Sequence, residues 1–171
     1  SLRVYHGCRV EDAGVFHREG LRINDPEKLE NQVRQIVAEE ERLAWMRPGL
    51  EAKLASSDLR DRDTGRLYVC LDDRVQLDRI GHYALYGSEW ITAFLGFPGH
   101  AVLRSRGVPT IVEMDIPLSW VRPSVREALA RDLLQEWTHQ IVNKRDWLPA
   151  PDFSITLHHD IAPEHVMSHH H

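Results

Sequence analysis

The stretch Val4-Tyr5-His6-Gly7-Cys8, followed twelve residues later by Gly20-Leu21, decides how this chain is read. Leu2 to Cys8 is rich in apolar and β-favouring residues, and it reads as a strand that delivers a histidine directly into a glycine. At such a glycine the backbone can approach a ligand closely. Val10 to Glu19 then reads as a short helix with Val10, Ala13, Val15 and Phe16 facing inward, and Gly20 suits the position just past its end. The imidazole of His6 thus sits at the mouth of a bend. It either bonds a ribose hydroxyl or a phosphate, or it is a strand-end histidine satisfied by a neighbouring carbonyl.

Further along, Asn24-Asp25-Pro26 is a helix start, with a capping side chain and a proline in the first turn. Glu27 to Ala44 reads as a charged helix with Leu29, Val33, Ile36, Val37, Glu40 and Leu43 on a narrow stripe. Leu50 to Ala55 adds a turn or two, and residues 56–65 form a polar, exposed loop. The 24–65 stretch reads as a solvated helical insertion or as a mobile lid. Arg66 to Leu71 is a strand, and Val75 to Leu95 a long helix interrupted at Gly81 and Gly87. Gly96 to Gly99 is a turn and Val108 to Ile116 a strand ended by Pro117. A helix starting at Arg122-Pro123-Ser124 lines one face with Val125, Leu129, Leu133, Leu134, Trp137 and Ile141. A rigid Pro149-Ala150-Pro151 linker, a strand over Phe153 to Leu157 and a short final element over Ile161 to Met167 complete the chain. The fold class is α+β: a single compact domain, residues 1–168, with a small mixed, split β-sheet flanked by helices. His169-His170-His171 reads as the remnant of an affinity tag.

Composition narrows the function. With 171 residues and 42% hydrophobic content the chain can bury a core without covalent staples. Its two cysteines, Cys8 and Cys70, form no CxxC pair and read as buried and reduced, which suits a cytoplasmic protein. A net charge of -5 argues against non-specific duplex binding. No apolar run reaches the roughly 18 residues of a membrane span, and no signal peptide is recognisable, so no membrane partner is expected.

Three groups of residues could carry chemistry. His6, Gly7 and Cys8 form the first. In the second, His82, Tyr86 and Glu89 are spaced i, i+4 and i+7, with Tyr83 beside them, which on one continuous helix gives a stacking ring, a hydroxyl and a carboxylate on one face. The Gly87-Ser88 pair inside that helix costs about 1 kcal/mol against alanine and needs a reason. The third group, Asp152, His158, His159, Asp160, Glu164 and His165, lacks metal-ligand spacing because adjacent histidines on a strand face opposite sides. No metal is expected. There is no GxGxxG, Walker or GxSxG pattern.

Val4-Tyr5-His6-Gly7-Cys8, the helix after it and Glu19-Gly20-Leu21 resemble the first motif of the ADP-ribosyltransferase superfamily. The resemblance is to its histidine branch, which holds the poly-ADP-ribose polymerase-like enzymes and the RNA 2′-phosphotransferases. Tyr68-Val69-Cys70-Leu71 with the helix bearing Tyr83 and Tyr86 resembles the second motif, and Phe153 to Leu157 with Ile161-Ala162-Pro163-Glu164 the closing strands. The resemblance implies an enzyme that cleaves NAD, its substrate, and passes ADP-ribose to a macromolecular acceptor, protein or nucleic acid, as a bacterial toxin or defence effector would. It implies that His6 holds the NAD ribose, that Gly7 and Cys8 meet the nicotinamide end, and that Tyr83 or Tyr86 stacks on the nicotinamide. The family's late-strand glutamate has no counterpart, because that strand begins Asp152-Phe153-Ser154. Glu89, Glu113 and Asp152 are the alternatives for the catalytic acid. An RNA 2′-phosphotransferase, an NAD glycohydrolase and a catalytically silent binding module are the other readings.

Overall fold

Nine residue pairs, from Leu2↔Ile116 to Val10↔Val108, join strand β1 (Leu2–Val10) to strand β3 (Val108–Ile116). These two β-rich runs form the centre of a five-stranded sheet, in which β2 (Leu67–Cys70) and β4 (Ser154–Leu157) extend one side and β5 (Val166–His170) the other. The computed structural model describes residues 1–58, 63–78, 81–143 and 153–171. The protein is α+β, as its pattern of elements implies. The sheet is not mixed, however: every strand pairing among the described residues is antiparallel. Alternating strands and helices suggest parallel crossovers, but here the helical excursions return the chain in the opposite direction.

β1 and β2 meet at a single pair, Tyr5↔Cys70. Beyond it the edge of β1 that faces β2 carries no ladder, so one continuous sheet has an opening at its centre. β1 runs to Val10, past the expected helix start, because Arg9 and Val10 still pair with Pro109 and Val108. The helix α1 therefore begins only at Gly14 (Gly14–Glu19). Gly20 follows it at φ 74°, ψ -164°, and Leu21 bridges Ile161 through two backbone bonds of 2.9 and 2.8 Å.

Two cores flank the opening. Alternation along the strands puts Val4, Met114, Val112, Val69 and Ile155 on one face of the sheet, where they pack with Leu21 and Ile161. The second core is helical. Asp25 caps α2 (Pro26–Glu39) by accepting from Glu27 N–H at 3.0 Å, with Pro26 opening the helix. Val33, Ile36 and Val37 on its stripe bury against Trp90, Phe94 and Leu103. After Glu39 the chain tightens into a 3-10 segment, Glu41–Gly49, and continues into α3 (Leu50–Ala55). Within the 24–65 stretch, residues from Val33 to Leu54 thus supply about half of this core, so that part is not a solvated appendage.

Among the described residues, the expected long helix over Val75 to Leu95 is three helices: α4 (Asp73–Asp78), α5 (His82–Tyr86) and α6 (Glu89–Leu95). Gly87, at φ 80°, ends α5, and Ser88 caps α6 by accepting from Ile91 N–H at 3.4 Å. This is the structural reason for the Gly-Ser pair. The expected turn at residues 96–99 is a break at Gly96 alone, after which α7 (Phe97–Ser105) begins. α8 (Pro123–Thr138) starts where expected, but of its apolar positions only Leu129 is buried, while Leu134 and Trp137 lie exposed. The Pro149-Ala150-Pro151 linker lies outside the described residues. His169 and His170 belong to edge strand β5.

At φ 74°, ψ -164° Gly20 occupies a region open essentially to glycine alone. A Cβ there would also lie 2.0 Å from the Ile161 carbonyl oxygen. Gly20→Ala is expected to cost about 3 kcal/mol, read from the urea midpoint. Gly49→Ala, whose Cβ meets nothing within 4 Å, is expected to stay within about 0.5 kcal/mol of wild type.

Candidate functional site

Where β1 and β2 part, the His6 ring fills in for the missing ladder. Its Nδ1–H donates to the Tyr68 carbonyl at 2.8 Å. A carbonyl can only accept, so this bond fixes the proton on Nδ1 and leaves Nε2 as an acceptor. Burial pushes the His6 pKa down, and the Tyr68 bond opposes this only in part. His6 is therefore a neutral imidazole. None of the described residues bonds its Nε2, which leaves that lone pair to the cavity the residue lines.

That cavity measures about 660 Å³ and lies between the open edge of β1 and the helical core. Its size is within the range of roughly 300–1,000 Å³ found for small-molecule sites. His6, Gly7, Cys8, Tyr83, Tyr86 and Glu89 all line it. The first two residue groups singled out in the sequence thus meet in one place, although they lie far apart in the chain.

Glu89 reaches the cavity by a different route from the one its spacing suggests. It opens α6 after the break at Gly87, so it does not share a helix face with His82 and Tyr86. The turn nevertheless sets the Tyr83 hydroxyl to donate to Glu89 Oε2 at 2.8 Å. Burial, and then this bond, drive the Tyr83 pKa well above the usual phenol range, so Tyr83 is a neutral donor. Tyr86 is half-buried against the helical core: its ring lies 4.4 Å from that of His100, and Arg104 donates to its hydroxyl at 2.9 Å.

The remaining acids lie elsewhere. Glu113 pairs with Tyr5 across β1 and β3, so it sits on the opposite face of the sheet from His6, whose partner is Val112. There it is ion-paired with Arg3 and accepts from the Ser168 hydroxyl at 2.6 Å. Asp152 lies outside the described residues. Cys8 shares a strand face with His6, but burial pushes its thiol up to about 12, which removes it as a nucleophile near neutral pH.

The cavity also contains groups the sequence did not single out. Arg9 spreads its guanidinium over the carbonyls of Ala84, Arg104, Arg106 and Gly107 at 2.8 to 3.0 Å, which ties α5 to the approach to β3. Gln32 and Gln35 line it from α2. Asp63 and the Tyr68 hydroxyl, 3.0 Å apart, are a second tyrosine–carboxylate pair. No local pattern in SSDLRDRDTG marks Asp63 as buried; only Gly65 in that stretch signals a turn. Among the described residues, no group of three His, Cys, Asp or Glu side chains is placed to hold a metal ion, and no helix is long and apolar enough to cross a membrane.

Comparison with protein-family models, with curated proteins and with solved structures finds no match to this chain.

The neutral state of His6 has a consequence for pH. A histidine whose folded pKa is held below 6.5 takes up its proton more readily in the unfolded chain, so stability falls as pH drops from about 6.5 toward the folded value. His6→Asn can keep a donor for the Tyr68 carbonyl but does not titrate. The stability difference between wild type and His6→Asn, measured by urea unfolding, is expected to narrow as pH falls below about 6.5.

Proposed function

We propose that the protein is an ADP-ribosyltransferase-like enzyme that cleaves the nicotinamide–ribose bond of NAD and transfers ADP-ribose to an acceptor. One observation carries this reading: a neutral histidine with a free acceptor nitrogen and a tyrosine-held glutamate, Glu89, share a single cavity of dinucleotide scale. His6 Nε2 accepts a ribose hydroxyl and fixes the sugar's orientation. Tyr83 offers a ring for the nicotinamide and holds Glu89 in place. As the C1′–N bond breaks, its electron pair neutralises the pyridinium nitrogen and positive charge develops on the ribose. A carboxylate held in place nearby by a hydrogen bond stabilises that charge without having to reorganise as it develops.

Among the three acids weighed from the sequence, Glu89 is the choice. It lines the cavity with His6, whereas Glu113 lies on the other sheet face. Of the other readings, an RNA 2′-phosphotransferase requires arginines free to grip phosphate, and the arginines among the described lining residues are engaged: Arg9 on four backbone carbonyls, Arg22 with Asp160, and Arg106 with Glu39 and Glu40.

The test is nicotinamide release from NAD by the purified protein, with a thermal-shift titration alongside. Glu89→Gln is expected to lower release by about 100- to 1,000-fold with NAD binding retained, the magnitude typical of losing one electrostatic stabiliser. His6→Ala is expected to lose both release and the NAD-dependent shift. Release that persists in both variants would overturn the reading.

A further inference from the structure

Asp63 is the most deeply buried acid in the cavity, at 8% exposure, and nothing in the proposed cleavage of NAD uses it. Its position is fixed from several sides. Arg66 N–H donates to the Asp63 carbonyl at 3.2 Å, Gly65 N–H donates to Asn24 O at 2.9 Å, and Asn24 N–H donates to Arg66 O at 2.9 Å. These bonds staple the turn to the chain leading into α2. The Tyr68 hydroxyl then donates to Asp63 Oδ1 at 3.0 Å.

Tyr68 thereby serves two groups at once. Its carbonyl sets the His6 tautomer and its hydroxyl orients the Asp63 carboxylate. Across the same cavity Tyr83 orients Glu89 in the same way. Asp63, Tyr68, Tyr83 and Glu89 all line this one cavity, so the two pairs border a shared volume. Two separately held carboxylates around a sugar are the equipment of glycosidic-bond chemistry. One stabilises the oxocarbenium-like ribose, and the other takes the proton from the incoming nucleophile.

We infer that Asp63 is a general base for the acceptor, and that the acceptor's reacting group is a hydroxyl. The inference rests on the NAD-cleaving reading above. In the step it describes, the C1′–N bond breaks with its electron pair going to nicotinamide. The hydroxyl oxygen bonds to C1′, and the hydroxyl proton passes to Asp63 and from there to solvent. A neutral hydroxyl, water included, is a weak nucleophile that must shed its proton as it attacks, so a base within reach speeds it. An anionic nucleophile has no proton to lose and gains nothing from one.

Azide separates these cases. NAD turnover is measured in wild type and Asp63→Asn, with water and with added sodium azide, following nicotinamide and the ADP-ribosyl product. In Asp63→Asn, hydrolysis is expected to fall about 100-fold. Azide is expected to restore nicotinamide release to near the wild-type rate and to yield ADP-ribosyl azide. Hydrolysis at the wild-type rate in Asp63→Asn overturns the inference and leaves the NAD reading standing, as does a loss that azide does not restore in a variant with wild-type melting. If Asp63→Asn does not fold, Tyr68→Phe keeps the carboxylate, removes its hydroxyl anchor and carries the same comparison. Reduced hydrolysis restored by azide then supports the inference, and both rates unchanged or both reduced overturn it. No nicotinamide release from wild type under any of these conditions overturns the inference together with the reading it rests on.

Discussion

One hydrogen bond, from His6 Nδ1–H to the Tyr68 carbonyl, closes the gap between strands that otherwise meet at a single residue pair. If the Tyr5↔Cys70 register ran on, Gly7 would lie opposite Tyr68 and the ladder would seal the sheet. The ladder stops, and a side chain takes the carbonyl instead. This substitution leaves one edge of β1 open to the cavity and puts the acceptor nitrogen of the imidazole into it. The opening in the sheet and the protonation state of the histidine have the same cause.

Everything else around the cavity holds that opening to a fixed width. On one side lies the sheet core of Val4, Met114, Val69 and Ile155; on the other lies the helical core of Val33, Val37, Trp90 and Phe94. Arg9 prevents the two halves from drifting, since its guanidinium bonds four carbonyls spread over α5 and the segment entering β3. Lysine could not replace it, because a single ammonium cannot span four acceptors in a fixed plane. Tyr68, Tyr83 and Glu89 thus project from a strand and two helices, and Asp63 from a turn tied to Asn24, which suits a preorganised electrostatic site.

Features set by neighbouring residues were legible in the sequence. The strand at Val4 to Cys8, the Asp25-Pro26 helix start and the stop at Gly20 all follow from local chemistry, and the structure has them. The His6 group and the Tyr83–Glu89 group were each visible, and the resemblance alone joined His6 to a tyrosine, with Glu89 one acid among three. Spacing placed Glu89 on a face of one long helix, whereas the break at Gly87 brings it round by a turn. Strand direction was not legible, because it depends on which distant edges pair. Burial of the apolar residues from Val33 to Leu54 depends on Trp90 and Phe94, which lie far along the chain. Asp63 was hidden for the same reason: its stretch is polar throughout, and distant partners, the Asn24 backbone and the Tyr68 hydroxyl among them, hold it inward. The apolar positions of α8 show the opposite limit, since a stripe at helical spacing does not say whether anything covers it.

Trp90 is buried in the helical core, stacked on Phe94 with ring centroids 5.6 Å apart, and it also borders the cavity. Trp45 and Trp137 are exposed, and Trp120 lies edge-on against His159 and His165. The indoles therefore occupy optically distinct surroundings. Aqueous quenchers reach the exposed pair and spare Trp90, so among the described indoles the emission that survives quenching is weighted toward those held inside, Trp90 at the cavity wall among them. The molecule carries its own reporter of whether that space is filled.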